Sequence, residues 1–380
     1  MDADIFDQLS DTVRRFVIER LRPLEAEVAD SDEMPAAILA EMRDMGLFGL
    51  SIPEEFGGLG LTMAEEVRLA MIFGQTTPAM RSAFGTNVGI GSQGLVMTGT
   101  DEQKARWLPG IADGSIITSF ALTEPDVGSD AANVKCRAVW DEGTEVYRLS
   151  GTKRYITNAD RADLFTVMAR TGGPGAGGVT AFLVERTSPG LSVGAHERKM
   201  GQQGAHVCDV NFDDVPVPAA NRLGAEGEGF KVAMRVLDRG RLHISGVCVG
   251  MAERLIEDMS RYALSRVQGG KPIAEHQLIQ AMIADSQAET MAAKALVLAT
   301  AEKRDRGESI TLDCAAAKLI ASETVGRVAD RAVQVHGGAG YIADYGIERL
   351  YRDVRLFRLY EGTSEIQRLI IAREVLRSID

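Results

Sequence analysis

Apolar residues recur at three- and four-residue steps from Phe6 through Leu9, Val13, Phe16 and Val17 to Leu21, the stripe of an amphipathic helix. Pro23 and Pro35 punctuate the next stretch of chain. Pro35 is placed to open a second helix over 36–45, which Gly46 stops. Residues 52–58, with Pro53 and two glycines, read as a loop. Helical spacing resumes over 64–73, and Asp101 is placed to cap a helix over 102–108. The pattern then changes. Short β-prone runs at 146–149, 164–169, 179–184 and 207–212 are separated by Gly and Pro clusters, as in an antiparallel β domain with hairpin loops. The glycine-rich stretch 171–178 reads as one such hairpin rather than a phosphate cradle. From about Gly229 the spacing is helical again, with long helices over 230–265, 277–304 and 313–335. Ile320, Val325, Val328, Ala332 and Val335 share a face of the last, which Gly337 and Gly338 end.

Helices, then strands, then helices predict an α+β protein. Its segments are an N-terminal helical domain over 1–118, a central antiparallel β domain over 119–226 and a C-terminal helical bundle over 227–380. No GxGxxG follows a strand, so a Rossmann dinucleotide fold is not indicated. The balance of 42 basic against 54 acidic residues, 42 − 54 = −12, argues against nucleic acid as the main partner. The apolar runs are too interrupted for a transmembrane helix, and the acidic start Met1-Asp2-Ala3-Asp4 lacks the pattern of a signal peptide. Cys136, Cys208, Cys248 and Cys314 form no CxxC pair, and the five histidines are scattered, so neither a metal site nor a disulfide framework is expected. A reduced cytoplasmic protein is the simplest expectation.

The candidate chemistry lies near the end of the chain, in Leu359-Tyr360-Glu361-Gly362-Thr363-Ser364-Glu365-Ile366-Gln367-Arg368. Ser364 and Gln367 have capping-box spacing, which predicts a helix from about Ser364 with Ile366, Leu369, Ile370 and Val375 along it. Glu361 then sits on a loop braced by a rigid element. Its apolar neighbours Leu359 and Tyr360 would desolvate it, raising its pKa and making it a usable base near neutral pH. Three other segments carry chemistry. Residues 121–130, Ala-Leu-Thr-Glu-Pro-Asp-Val-Gly-Ser-Asp, form a polar turn-rich loop whose hydroxyls and backbone N–H groups suit an acceptor-rich ring or a phosphate. The others are 151–159 and 334–341.

With these four segments in this order, the chain closely resembles the acyl-CoA dehydrogenase family of FAD enzymes, from about Gly46 to the C-terminus. The resemblance implies that the C-terminal segment is a four-helix bundle, that the cofactor is FAD and that the substrate is an acyl-CoA thioester. It implies α,β-dehydrogenation: Glu361 takes the α-proton, the β-hydride moves to flavin N5, and the enolate oxygen is held by the Glu361 N–H and a ribityl hydroxyl. Electrons would pass to an electron-transferring flavoprotein. Some relatives carry the base on a bundle helix; the matching position here is Gly240, which cannot abstract a proton. The flavin contacts implied are Leu122, Thr123, Ser129, Tyr155, Ile156, Thr157, Thr363 and Glu365. Gln334, Val335, Gly337 and Gly338 match the loop at the adenosine end. Arg266 and Gln277 match residues that reach FAD across a subunit interface, which implies a homotetramer. Ser129, Asp238, Arg241 and Gly362 match positions facing the acyl-CoA.

Simpler roles stand beside several of these. Asp238 and Arg241 could be only a surface ion pair, worth about 0.2–0.5 kcal/mol. Arg352 and Asp353 read as structural, His336 as a loop residue, and Glu365 as a residue favouring a helix N-terminus. Two positions depart from the family pattern: Gly269 stands where members often have Phe, and Tyr155 where Trp is common. The substrate side chains are expected within 80–95. An oxidase or another flavin reaction on the same fold remains an alternative, as does a non-catalytic subunit that binds acyl-CoA or FAD.

Overall fold

The computed structural model describes residues 1–379. The N-terminal part contains α1 (Ala3–Phe16), α2 (Glu25–Ser31), α3 (Ala36–Asp44), α4 (Met63–Phe73), α5 (Pro78–Val88), α6 (Gln93–Thr98) and α7 (Asp101–Ala112). The first stripe buries as its spacing predicts: Phe6, Val13, Phe16, Val17 and Leu21 join one core with α4 and α5 residues. Pro35 caps α3, and Gly46, at φ +70°, takes the chain out of it. The start of α7 differs from expectation by one residue. Thr100, not Asp101, is the N-cap, because the Thr100 hydroxyl and the Gln103 side chain form a capping box.

The middle strands are β1 (Thr118–Ala121), β2 (Arg137–Asp141), β3 (Val146–Thr157), β4 (Leu164–Arg170), β5 (Val179–Glu185), β6 (Leu191–His196), β7 (Val207–Pro218) and β8 (Arg222–Leu223). They form one sheet ordered β6-β7-β3-β2-β4-β5-β8, with β1 on β4. Pairing is antiparallel except that β4 runs parallel to β1 and touches β2 in parallel at one pair. Four strands of this sheet escape the sequence pattern. Strands β1 and β8 are only four and two residues long, and β2 and β6 are mostly exposed.

The last part contains α8 (Gly229–Ser265), a small hairpin of β9 (Val267–Gln268) and β10 (Lys271–Pro272), α9 (Gln277–Asp305), α10 (Thr311–His336), α11 (Ile347–Val354) and α12 (Ser364–Arg377). Helices α8, α9 and α10 share a core with α4 and α11. Ile320 is 43% exposed; the buried face of α10 runs instead through Cys314, Ala317, Ala321, Val325, Val328, Ala332 and Val335. His336 is the last residue of α10, not a loop residue, and its ring stacks on Tyr262 at 4.3 Å. Asp353 is structural: its buried carboxylate accepts from the Gln202 N–H and the Thr77 hydroxyl, while Arg352 pairs with Glu348. Burial pushes the Asp353 carboxyl up to about 6.

Helix α4 crosses α8 at backbone contact. A Cβ at Gly250 would overlap the Met71 carbonyl and stand 2.7 Å from its carbon. Gly250→Ala is therefore expected to destabilise the fold by about 1–3 kcal/mol through overpacking. Thermal unfolding would show this as a lowered Tm; an unchanged Tm would mean the two helices are not locked in this register.

Candidate active site

Glu361 lies between a 3₁₀ turn over Arg355–Arg358 and α12. Both it, at φ +53°, and Gly362, at φ +90°, are left-handed. For a Glu this backbone is uncommon and requires support from its surroundings. The support comes from side chains donating to the two loop carbonyls. Glu361 O accepts from Arg241 Nε at 3.1 Å and Gln367 Nε2 at 3.2 Å. Gly362 O accepts from Gln367 Nε2 at 3.0 Å and Lys318 Nζ at 2.7 Å. The Glu361 N–H itself has no acceptor among the described residues. The helix start again differs by one residue. Thr363 is the N-cap of α12, accepting from the Ile366 N–H, while the Ser364 hydroxyl goes to Glu323. Gln367 turns back to the loop rather than completing a capping box.

The Glu361 side chain lines a cavity of about 680 Å³. Its Oε2 is buried without a hydrogen-bond partner. Burial raises its pKa, and the charges of Arg81, Lys318 and Arg241 partly offset the rise. Gly240 faces it directly: a Cβ there would overlap Oε2 and lie 3.0 Å from Cδ. The two positions where a base could stand thus address the same volume, and only one bears a carboxylate.

Asp238 and Arg241 are not a surface pair. Arg241 is buried and reaches Asp238 at 2.7 Å, and Asp238 also accepts from Thr311 at 3.2 Å. The pair anchors the donor that holds the Glu361 carbonyl. Lys318 is fully buried, and burial lowers its pKa to about 8. Its charge favours the Glu361 carboxylate, so Lys318→Met is expected to raise the Glu361 pKa. The acidic limb of the kcat/KM profile would move to higher pH. A limb that stays put would remove Lys318 from the electrostatics of the base.

Across the cavity stand Leu122, Thr123 and Ser129 from the loop after β1, and Tyr155, Ile156 and Thr157 from the end of β3. The loop is tied down by Glu124, which accepts from the Lys135 N–H, the Cys136 N–H and Lys153 Nζ. Lys153 also donates to Leu122 O, and the Arg154 N–H to Thr123 O. Tyr155 at φ +58° bulges β3 where its register against β7 shifts. Tyr155 is 59% exposed. The side-chain hydroxyls of Thr123, Ser129 and Thr157 make no hydrogen bond among the described residues and border the cavity. A free-hydroxyl rim, an aromatic face and an unpaired N–H beside a buried carboxylate fit a planar, acceptor-rich ring system such as a flavin with an acyl group against it.

The other expected contacts lie outside this cavity within one chain. Arg266 and Gln277 are exposed at the end of α8 and the start of α9. Gln334, Gly337 and Gly338 are exposed at the end of α10, while the Val335 side chain is committed to the bundle core. Thr363 serves as the cap, and Glu365 is exposed in the first turn of α12. Gly269, at φ +63°, pairs with Gly270, at φ +79°, in the β9–β10 turn, a conformation that favours glycine at both sites. That accounts for the missing Phe in backbone terms.

Sequence reasoning missed Arg81, Gln202 and Lys318. The signal for Arg81 and Lys318 was a lone cation within an otherwise apolar or Ala-rich helical stretch, Pro-Ala-Met-Arg and Ala-Ala-Ala-Lys. Gln202 gave none, being set by Asp353 151 residues away.

Three family models match consecutive parts of the chain: the acyl-CoA dehydrogenase N-terminal domain over 6–115, middle domain over 119–215 and C-terminal domain over 227–376. The chain belongs to the acyl-CoA dehydrogenase family. It is an FAD-dependent oxidoreductase acting on acyl-CoA thioesters. It is 41% identical to the acryloyl-CoA reductase (NADH) of Anaerotignum propionicum, over 98% of this chain and 94% of that protein. It is 39% identical to the caffeyl-CoA reductase-Etf complex subunit CarC of Acetobacterium woodii, over 92% of both. Its fold matches butyryl-CoA dehydrogenase from Megasphaera elsdenii with a TM-score of 0.95 at 33% identity, covering 99% of this chain and 100% of that one.

Proposed function

We propose that Glu361 is the catalytic base of an α,β-dehydrogenation of an acyl-CoA thioester. The observation that carries this is a cavity-facing carboxylate with an unpartnered oxygen beside its own unpaired N–H. A thioester α-proton is too weakly acidic for a carboxylate in water, so the developing enolate oxygen needs preorganised donors. The Glu361 N–H is available for that oxygen because no acceptor among the described residues takes it. The raised pKa of the carboxyl makes it a stronger base than an exposed Glu. Bound FAD would supply the acceptor for the hydride leaving Cβ. Leu122, Thr123, Ser129, Tyr155, Ile156 and Thr157 would hold its ring, and Asp238 and Arg241 would fix the catalytic loop against the substrate.

The proposed electron partner is an electron-transferring flavoprotein, supported by the Etf complex to which a 39%-identical relative belongs. The 41%-identical acryloyl-CoA reductase favours a second direction of the same chemistry. There Glu361, protonated, would deliver its proton to Cα of an enoyl thioester. Arg266, Gln277, Gln334, Gly337, Gly338 and the Val335 backbone are proposed to reach FAD from neighbouring subunits of a homotetramer. The exposed apolar residues Leu264, Val267, Leu278, Tyr341 and Ile342 beside them support an interface there. Four free cysteines fit the proposed cytoplasmic setting.

The test is to mix the FAD holoenzyme anaerobically with a panel of acyl-CoAs and follow the flavin band. Bleaching is expected from at least one chain class, with reoxidation by an electron-transferring flavoprotein faster than by air. No bleaching by any thioester would defeat the dehydrogenase proposal, and fast reoxidation by air alone would make it an oxidase.

A further inference from the structure

Three helices contribute to one buried polar cluster beside the cavity: Glu66 from α4, Arg81 from α5, and Arg239 and His243, one turn apart, from α8. Glu66 pairs with Arg239 and also faces His243 Nδ1 at 3.1 Å. On the other side of the ring, Arg81 Nε lies 2.9 Å from His243 Nε2. That contact fixes the state of the imidazole. A guanidinium carries donors only, so His243 Nε2 accepts. The ring proton then sits on Nδ1 and is donated to Glu66 Oε1. Burial, with Arg81 and Arg239 close by, keeps the ring neutral, its pKa well below the usual value.

A neutral acceptor holds Arg81 without cancelling its charge. A carboxylate in the same place would hold the side chain equally well and oppose its field. The charge of Glu66, on the far side of the ring, is already matched by Arg239. The carboxylate on which Arg81 acts is Glu361, which lines the same cavity. Arg81 is the foremost of three cations that favour the Glu361 carboxylate, ahead of Lys318 from α10 and Arg241 from α8. Tyr360 and Cys248 also face Glu361, and burial keeps both protonated. The guanidinium has room to move: Gly85 and Gly89 lie beside it, and a Cβ at Gly85 would stand 2.8 Å from Nη1. His243 Nε2 takes the one side-chain hydrogen bond that Arg81 makes among the described residues.

We propose that His243 is a positioning residue for proton transfer at Glu361: held in its Nδ1–H tautomer by Glu66, it fixes the Arg81 guanidinium where its charge acts on the Glu361 carboxylate. This rests on Glu361 as the base proposed above. The test compares two amides of different reach. His243→Asn places its amide near the Nδ1 position, where it can donate to Glu66 but cannot reach Arg81. His243→Gln extends to the Nε2 position and keeps an acceptor there. The acidic limb of kcat/KM is read from anaerobic bleaching of each FAD holoenzyme by one acyl-CoA that bleaches the wild-type flavin, with FAD content measured alongside. In His243→Asn the limb is expected to move to higher pH by at least ~0.5, because a carboxylate that loses a nearby cation keeps its proton to higher pH. His243→Gln should keep the limb near that of wild type. Arg81→Met should also move it upward, and adding His243→Asn to Arg81→Met should move it no further. Four results would overturn the proposal: an unmoved limb in His243→Asn, a limb displaced in His243→Gln as far as in Arg81→Met, an unmoved limb in Arg81→Met, or a further shift in the double variant. Should His243→Asn lose its FAD, the second and third of these still decide. Failure of Glu361 as the base looks different: the acidic limb would then persist in Glu361→Gln, whatever stands at 243.

Discussion

Glu361→Gln is expected to retain FAD and bind acyl-CoA while losing at least about 1,000-fold in turnover. The amide keeps the size of the side chain, so the cavity and the left-handed loop should survive. The braces on Glu361 O and Gly362 O come from Arg241, Gln367 and Lys318, none of which contacts the carboxylate in making them. What is lost is the proton acceptor. The variant therefore separates the base from the binding site. Turnover near that of wild type would place the base elsewhere and leave Glu361 as a loop residue in an unusual conformation.

Gly240→Ala is expected to cost about 100-fold in turnover, without loss of fold, because a Cβ at 240 would overlap Glu361 Oε2. The carboxylate must move aside, and misplacement by about 1 Å is enough for such a loss. The same closeness predicts a rescue. Glu361→Gly removes the base, and glycine suits the φ of +53° at that position. Adding Gly240→Glu then places a carboxylate from the helix into the vacated volume. The double variant should recover turnover above that of Glu361→Gly alone. Stopped-flow bleaching would measure both effects. If Gly240→Ala reacts at the wild-type rate, the carboxylate is not held where the structure puts it.

The three-part order of helices, strands and helices was legible because it rests on periodicity, which local sequence carries well. The stripe from Phe6 to Leu21 and the long helices α8, α9 and α10 are such elements. Boundaries moved by one residue where a Thr stood just before the predicted cap. Thr100 and Thr363 each took the capping role because their hydroxyls reach back into the first turn. Ile320 was misplaced because the buried face of α10 includes small residues such as Ala317, Ala321 and Ala332, which make a weak stripe, and a single large residue outside it looks like core. Glu361 was legible from its motif, and its desolvation from its neighbours. Its bracing was not. Arg241 is 120 residues from Glu361 and Lys318 is 44 from Gly362 in sequence, and only the packing of α8 and α10 against the loop brings them together. Arg81 was hidden for the same reason, since only the packing of α5 brings its charge to the cavity that Glu361 lines.

The most direct test of Glu361 as the base is rapid-mixing bleaching of the holoenzyme with protiated and α,α-dideuterated acyl-CoA over roughly pH 5 to 9. The carboxylate form is the active one, and burial raises its pKa. The rate should therefore be present at high pH and fall as pH drops through a value above the ordinary carboxylate range. Deuterium at Cα should slow it in wild type, and Glu361→Gln should show no corresponding limb. The same acidic limb and the same isotope effect in Glu361→Gln would contradict the account.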